Sequence, residues 1–258
     1  MKRIGIIVVA ILIIASPVFA ASITNAVKPL GHMKFSIAAE DNYIFSRDIK
    51  KPENRTKFEI EDMNQVYANL GLGITPCLNI YTKLGISDSG EIQDETTSAA
   101  IQKITTDYGF LWGVGASYAK EISAGWKIGV DAQFNWWKAG VDTVTYNDLS
   151  ATSVSGDIIN FEYQATPFVT KRIEIPQYNW VMNPYLGVKF SYFKTKTDDQ
   201  IKYNAAGGDR STSWTLRGDD YVGIVVGSDL EINDKIALQV EGRFIDETAI
   251  TAGGTYKF

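Results

Sequence analysis

The sequence predicts an all-β chain, folded as a closed, antiparallel, up-and-down transmembrane β-barrel of about ten strands, with eight or twelve as the adjacent possibilities. Three observations predict this class. Apolar and polar residues alternate with period two along most of the chain, and the links between alternating segments are short and long by turns. Beyond the N-terminus, no apolar run reaches the length of a membrane-spanning helix.

The N-terminal residues read as an export signal. Lys2 and Arg3 form a positive start, Ile4 to Ala15 an apolar stretch interrupted by Gly5, and Pro17, Val18 and Ala20 a breaker with a small-residue cleavage pattern. Cleavage is expected between Ala20 and Ala21, because cutting one residue later puts Phe19 where a small side chain is needed. Residues 1–20 are thus a signal peptide and 21–258 one barrel domain. Loss of Lys2 and Arg3 takes the formal charge from −5 to −7, and so acidic a chain argues against nucleic acid as a partner. The single cysteine, Cys77, excludes an intrachain disulfide framework and lies far from the acylation position of a lipoprotein.

The alternation is clearest in two neighbouring segments. Tyr108, Phe110, Trp112, Val114, Ala116 and Tyr118 share one face, against Gly109, Leu111, Gly113, Gly115 and Ser117. Trp126, Ile128, Val130, Ala132, Phe134 and Trp136 share the next, against Lys127, Gly129, Asp131, Gln133 and Asn135. This is the pattern of strands with one apolar face. It recurs from Met33–Ala39 through Val66–Ile74, Ile80–Ile86, Ile159–Ala165, Leu186–Tyr192, Val222–Leu230 and Ile236–Phe244 to the last face, Ile250, Ala252, Gly254, Tyr256 and Phe258. Tight links fall near Thr75–Asn79, Lys120–Gly125 and Glu231–Lys235, with a longer one at Arg172–Asn183. Long polar links fall near Asp41–Lys57, Ser87–Asp107, Lys138–Ser155 and Lys194–Ser213, and a short hairpin near Asp246–Thr248. Short turns on one side and long loops on the other suit an outer-membrane barrel with both termini periplasmic.

The direction of the apolar face decides between a membrane barrel and a soluble one. Ten residues separate Trp126 from Trp136; at about 3.3 Å each and a tilt near 40°, they cover roughly 25 Å along the membrane normal, the height of a barrel's apolar band. Tyr108 and Tyr118 repeat the spacing, and Tyr256 and Phe258 join them as candidates for the aromatic girdles at the two interfaces. The opposite faces then line a lumen. Lys83, Lys189 and Arg243 are expected to pair there with Asp131, Glu162 and Glu241. About ten strands lies near the limit at which side chains fill a barrel, which favours a salt-bridged interior over an open pore.

The last face, ending in an aromatic residue, resembles the C-terminal strand of Gram-negative outer-membrane proteins. The whole chain resembles the small outer-membrane barrels, including the opacity-type proteins and the OmpA membrane domain. That resemblance implies recognition of the final strand by the barrel-assembly machinery and contact with outer-membrane lipids. The strand count is also similar to that of the omptin proteases, but a shared architecture assigns no activity.

Residues with chemistry of their own are few. His32, the one histidine, sits at the start of the first strand with no nucleophile or carboxylate fixed beside it by spacing, so no catalytic role is expected. The doublets Asp198–Asp199 and Asp219–Asp220 lack the spaced ligands of a calcium loop. Gly71–Gly73 and Gly113–Gly115 lack the Lys and Ser/Thr of a phosphate cradle and read instead as places where a curved wall is crowded. Asn54–Arg55–Thr56 marks a surface link. No cofactor is implied. The expected function is non-enzymatic: an outer-membrane barrel that anchors long loops for an extracellular partner. A narrow channel for small polar solutes, and a secreted soluble barrel binding an apolar ligand, are the alternatives.

Overall fold

The computed structural model describes residues 29–50, 55–96, 101–146, 149–205 and 208–258. The expected signal peptide with its Ala20–Ala21 cleavage site, and Asn54 of Asn54–Arg55–Thr56, lie outside them. The strands are β1 (Phe35–Asp48), β2 (Arg55–Gly73), β3 (Leu78–Ser87), β4 (Glu91–Thr96), β5 (Ile101–Thr106), β6 (Gly109–Ser123), β7 (Trp126–Tyr146) and β8 (Leu149–Ser150). They continue with β9 (Val154–Lys171), β10 (Ile173–Ile175), β11 (Trp180–Ala205), β12 (Gly208–Thr212), β13 (Thr215–Arg217), β14 (Val222–Glu231), β15 (Ile236–Phe244) and β16 (Thr248–Lys257).

Ten of these form a ring of antiparallel neighbours in the order β1, β2, β3, β6, β7, β9, β11, β14, β15, β16. The ladder between β1 and β16, with Ala39 opposite Gly254 and Tyr43 opposite Ile250, joins the last strand to the first. The final strand is therefore the closing strand.

In this ring the polarity of a soluble protein is inverted. Leu70, Ile80, Leu84, Val114, Ile128, Leu186, Val188, Ile224, Val226 and Val240 all point outward and are exposed, while Asn69, Lys83, Asp131, Gln133, Glu162, Lys189, Glu241 and Arg243 point inward and are buried. Water does not sustain so continuous an apolar exterior; lipid does. The fold is a transmembrane β-barrel, and the outward apolar faces remove the soluble ligand-binding alternative.

Beyond the ring, the segments expected as long loops are largely strand, which corrects that expectation. β7 runs to Tyr146, β11 is 26 residues long, and β4 and β5 form a hairpin inside the expected Ser87–Asp107 link. A second ring can be traced through them. β3 and β6 end at Ser87 and Gly109, and β4 and β5 take their places by pairing with the outer parts of β2 and β7, Ile60 opposite Ile92 and Ile104 opposite Val144. On the far side, β14, β15 and β16 stop low. There the end of β1 reaches across to β13: Ile49 bridges to Gly218, the Lys50 N–H donates to the Arg217 carbonyl at 2.8 Å, and the Asp219 N–H donates to the Asp48 carbonyl at 3.1 Å. β13 pairs in turn with β11. The ten-stranded barrel thus continues into a cap of eight segments: β1, β2, β4, β5, β7, β9, β11 and β13.

Inside the cap, polarity returns to that of a soluble protein. Ile49, Phe58, Ile60, Ile92, Ile104, Trp137, Val144, Ile158, Phe193, Ile201 and Leu216 form one buried apolar cluster. Eight strands enclose a space that side chains just fill. β7 makes the change without a break: its inward face passes from Asp131, Gln133 and Asn135 to Trp137 and Ala139, and its outward face from Phe134 and Trp136 to Lys138. In β1, a bulge between Ile44 and Ser46 reverses the alternation, so that Arg47 and Ile49 turn inward.

Candidate functional site

The lumen gathers a set of buried polar groups that continues to the level where ring meets cap. All six charges expected there point inward and are buried. Glu162 on β9 lies 3.4 Å from the Lys189 ammonium on β11, and Arg243 lies 3.4 Å from Glu241 on the same strand. The third expected pair is not formed. Lys83 donates instead to Gln133 Oε1 at 2.6 Å and to the Tyr67 hydroxyl at 3.4 Å, with its ammonium 4.7 Å from the Tyr67 ring centroid. Asp131 accepts the Tyr81 hydroxyl at 2.9 Å. Nearby neutral partners satisfy both groups without requiring two short-range ions to meet.

Three charged residues of this network are invisible to strand alternation. Arg47 turns inward only because of the β1 bulge. Its Nη2 lies 2.8 Å from Glu162 Oε1 and also contacts Glu247. β1 and β9 are five strands apart whichever way the ring is followed, so Arg47–Glu162 is a bar across the full lumen. Asp246 and Glu247 occupy the short link between β15 and β16, where a link residue is ordinarily solvated. Ile245, a β-branched residue at φ 88°, leaves its own side chain exposed and both carboxylates folded into the lumen. Asp246 lies 2.8 Å from Lys189 and accepts the Ser191 hydroxyl at 2.7 Å. Glu247 contacts Arg47, Lys189 and Arg243 together. Glu40, on β1, is buried in the same space.

Two glycine–tyrosine pairs hold the remaining carboxylates. A Cβ on Gly115 would lie 2.3 Å from Tyr81 Cζ, and one on Gly227 would lie 2.4 Å from Tyr185 Cζ. The bare backbone lets each ring lie flat on the wall. From there Tyr81 reaches Asp131, and Tyr185 donates to Glu241 at 2.8 Å.

The outer boundary of the apolar band carries exposed charge. Lys138 lies 2.9 Å from Asp157 and 2.7 Å from Asp198, and its hydrogen bond holds the Asp198 carboxyl below the usual carboxylate range. Asp88, in the link beyond the outer end of β3, accepts the Asn64 and Gly90 N–H groups at 2.8 and 3.0 Å, both on Oδ1. Burial nevertheless pushes its carboxyl up to about 6.

The candidate girdle residues all face outward. Tyr108 and Trp136 lie toward the cap, and Tyr118, Trp126, Tyr256 and Phe258 toward the short turns. The Lys171 ammonium sits 5.0 Å from the Trp126 ring centroid, and Tyr256 meets Phe258 edge to face at 5.0 Å. At the turn end, His32 Nδ1 donates to the Ile74 carbonyl at 2.7 Å, and Cys77 is a half-buried free thiol.

Glu247→Gln keeps the shape but removes the carboxylate shared by three buried cations. Loss of one partner from a buried ion network costs about 3–5 kcal/mol, to be read as a lower urea midpoint in micelles. Asp88→Asn keeps the Oδ1 acceptor for both N–H groups. Because the folded carboxyl titrates near 6 and an unfolded one near 4, the native protein loses stability from this group as pH rises through that window. The variant should therefore gain about 1–2 kcal/mol at pH 7–8, after allowance for partial exposure, and nothing below pH 4. Unfolding midpoints across that range would check this.

No family model and no curated protein matches the chain. Among solved structures, it is similar to the outer-membrane protease OmpT of Escherichia coli, at 9% identity over 87% of this chain and 95% of that one, with a TM-score of 0.48. The translocator domain of the autotransporter NalP from Neisseria meningitidis gives 10% identity over 88% and 90%, with a TM-score of 0.48. The outer membrane protein OprG of Pseudomonas aeruginosa gives 11% over 89% and 99%, with a TM-score of 0.40. These likenesses are too distant to carry an argument about activity, and the fold rests on the ladders and faces described above.

Proposed function

We propose that the protein is a non-enzymatic outer-membrane barrel that keeps its lumen shut and presents the eight-segment cap, with its links, at the cell surface. The observation that carries this reading is the double obstruction of the lumen. The Arg47–Glu162 bar crosses the ring at its outer end, and directly beyond it the apolar cluster around Trp137 and Phe193 fills the cap. The Arg47 guanidinium lies 4.3 Å from the Phe193 ring centroid, which ties the two layers together. A polar solute would have to break a buried ion pair and then cross a dry apolar core, each opposed by several kcal/mol. Retention in the outer membrane with the cap outside and both termini periplasmic is part of this proposal, as is an extracellular partner for the cap.

Planar-bilayer recording of the folded protein should show no discrete conductance; steady channel steps from the native protein would overturn the closed-lumen reading in favour of a solute channel. Orientation has a built-in reporter, because Cys77 lies at the turn end. On intact cells, a maleimide too bulky to cross the outer membrane should leave native Cys77 unlabelled. It should label Ser150→Cys, an exposed cap position, in a Cys77→Ser background. The reverse pattern would place the cap in the periplasm.

A further inference from the structure

A concavity of about 730 Å³ lies on the lipid-facing wall and not in the lumen. Its floor is a row of three alanines placed directly opposite one another on adjacent strands: Ala116 on β6, Ala132 on β7 and Ala165 on β9, with Phe190 of β11 completing the row. One row nearer the cap, the side chains are large. Phe134, Tyr163, Tyr192 and Tyr221 form a ledge of rings with successive centroids 4.8, 6.3 and 6.4 Å apart. Three methyl groups below a shelf of aromatic rings leave a slot that the regular outward face of a barrel lacks.

Immediately beyond the ledge the same wall carries positive charge. Arg217 lies with its guanidinium 5.7 Å from the Tyr192 ring centroid. Lys194 is its register partner across β11 and β13, and Lys196 follows one outward position on, about 7 Å further along the strand. Among the described residues, no salt bridge holds Lys194, Lys196 or Arg217, although Asp219 and Asp220 follow Arg217 in the chain and the charge of Lys196 acts on the Asp198 carboxyl. The neighbouring Lys138 differs: Asp157 and Asp198 neutralise it. From Lys194 to the level of Phe190 is four residues, about 13 Å of strand.

We infer that this wall is a binding site for one anionic, phosphate-bearing lipid of the leaflet on the cap side: Lys194, Lys196 and Arg217 hold the phosphate, and one acyl chain lies in the alanine slot beneath the aromatic ledge. Two features select this occupant. A free phosphate would leave the slot uncovered, and a zwitterionic headgroup would bring a cation onto three cations. The inference depends on the transmembrane fold and not on which way the barrel is oriented.

The test uses the full-length barrel in nanodiscs containing equal amounts of phosphatidylglycerol and phosphatidylcholine with identical acyl chains. Native mass spectrometry counts the lipids retained on release. One phosphatidylglycerol should be retained with at least a tenfold preference. The preference should fall to near unity in Lys194→Gln/Lys196→Gln/Arg217→Gln, which removes the charge, and in Ala132→Leu/Ala165→Leu, which fills the slot on an outward face that tolerates bulk. Lys171→Gln, at the opposite membrane edge, should leave it unchanged. Equal retention of both lipids by the native barrel overturns the site. So does an unchanged preference in either multiple variant, because headgroup and chain are held by one site or not at all.

Discussion

The feature on which everything else rests is the inverted polarity of the ten-stranded ring. Once the outward face of each strand is given to Leu, Ile, Val and aromatic residues, the period of two sends every intervening residue into the lumen. Those residues include Lys83, Lys189 and Arg243, together with Glu40, Asp131, Glu162 and Glu241; the β1 bulge adds Arg47 and the β15–β16 link adds Asp246 and Glu247, all buried. Charges in so narrow a space are tolerable only when each is met by a counter-charge or a hydrogen bond. The lumen meets that demand with residues from most of its walls. Glu247 draws together three cations, and the two tyrosine–carboxylate contacts are made possible by glycines on the adjacent strands. The ion network is thus less a device added to the barrel than the consequence of putting its apolar side outward.

The same constraint explains why the cap is built differently. Beyond the lipid the outward face no longer gains from being apolar, and an eight-segment wall encloses too little space for a hydrated polar interior. The economical solution is the one soluble proteins use, with apolar residues inside and polar ones outside. β7 shows that a strand can carry both solutions in succession. Trp136 faces lipid and Trp137 faces the cap core, so two adjacent tryptophans bury or shelter their rings on opposite sides of one wall. Narrowing from ten segments to eight requires strands to leave the ring. The β4–β5 hairpin, and the reach of β1 across to β13, are the means by which they leave without stranding an unpaired edge.

How much of this was legible in the sequence follows from the range of each signal. β6 and β7 announce themselves because alternation is local and their outward faces are uniformly apolar. The six lumen charges identified from it are all inward for that reason. Arg47 was hidden because one extra residue at the bulge after Ile44 reverses inside and outside, and no local pattern marks the reversal. Asp246 and Glu247 were hidden because they sit in a link, and links are read as solvated. The cap strands read as loops in the sequence because each offers few apolar residues, such as Ile92 in β4 and Ile104 in β5, among polar ones. Their core exists only once eight separate segments are assembled. The Lys83–Asp131 pairing failed for a related reason: inward direction can be inferred along one strand, but the identity of the partner depends on what Tyr67, Tyr81 and Gln133 offer from other strands.

The two polarities meet at Arg47, and that contact bears on function. Its guanidinium is held by carboxylates on the ring side and lies against Phe193, a member of the cap cluster, on the other. A weakly hydrated planar cation suits this position, since its edges accept carboxylates while its face can lie on an aromatic ring. Opening the lumen by withdrawing Arg47 would therefore disturb both layers at once: Glu162 and Glu247 would lose a counter-charge, and Phe193 would lose a packing partner. A barrel evolved to pass solutes gains nothing from coupling its constriction to a dry core above it. The closed, cap-presenting barrel proposed above does, because each layer then resists movement in the other.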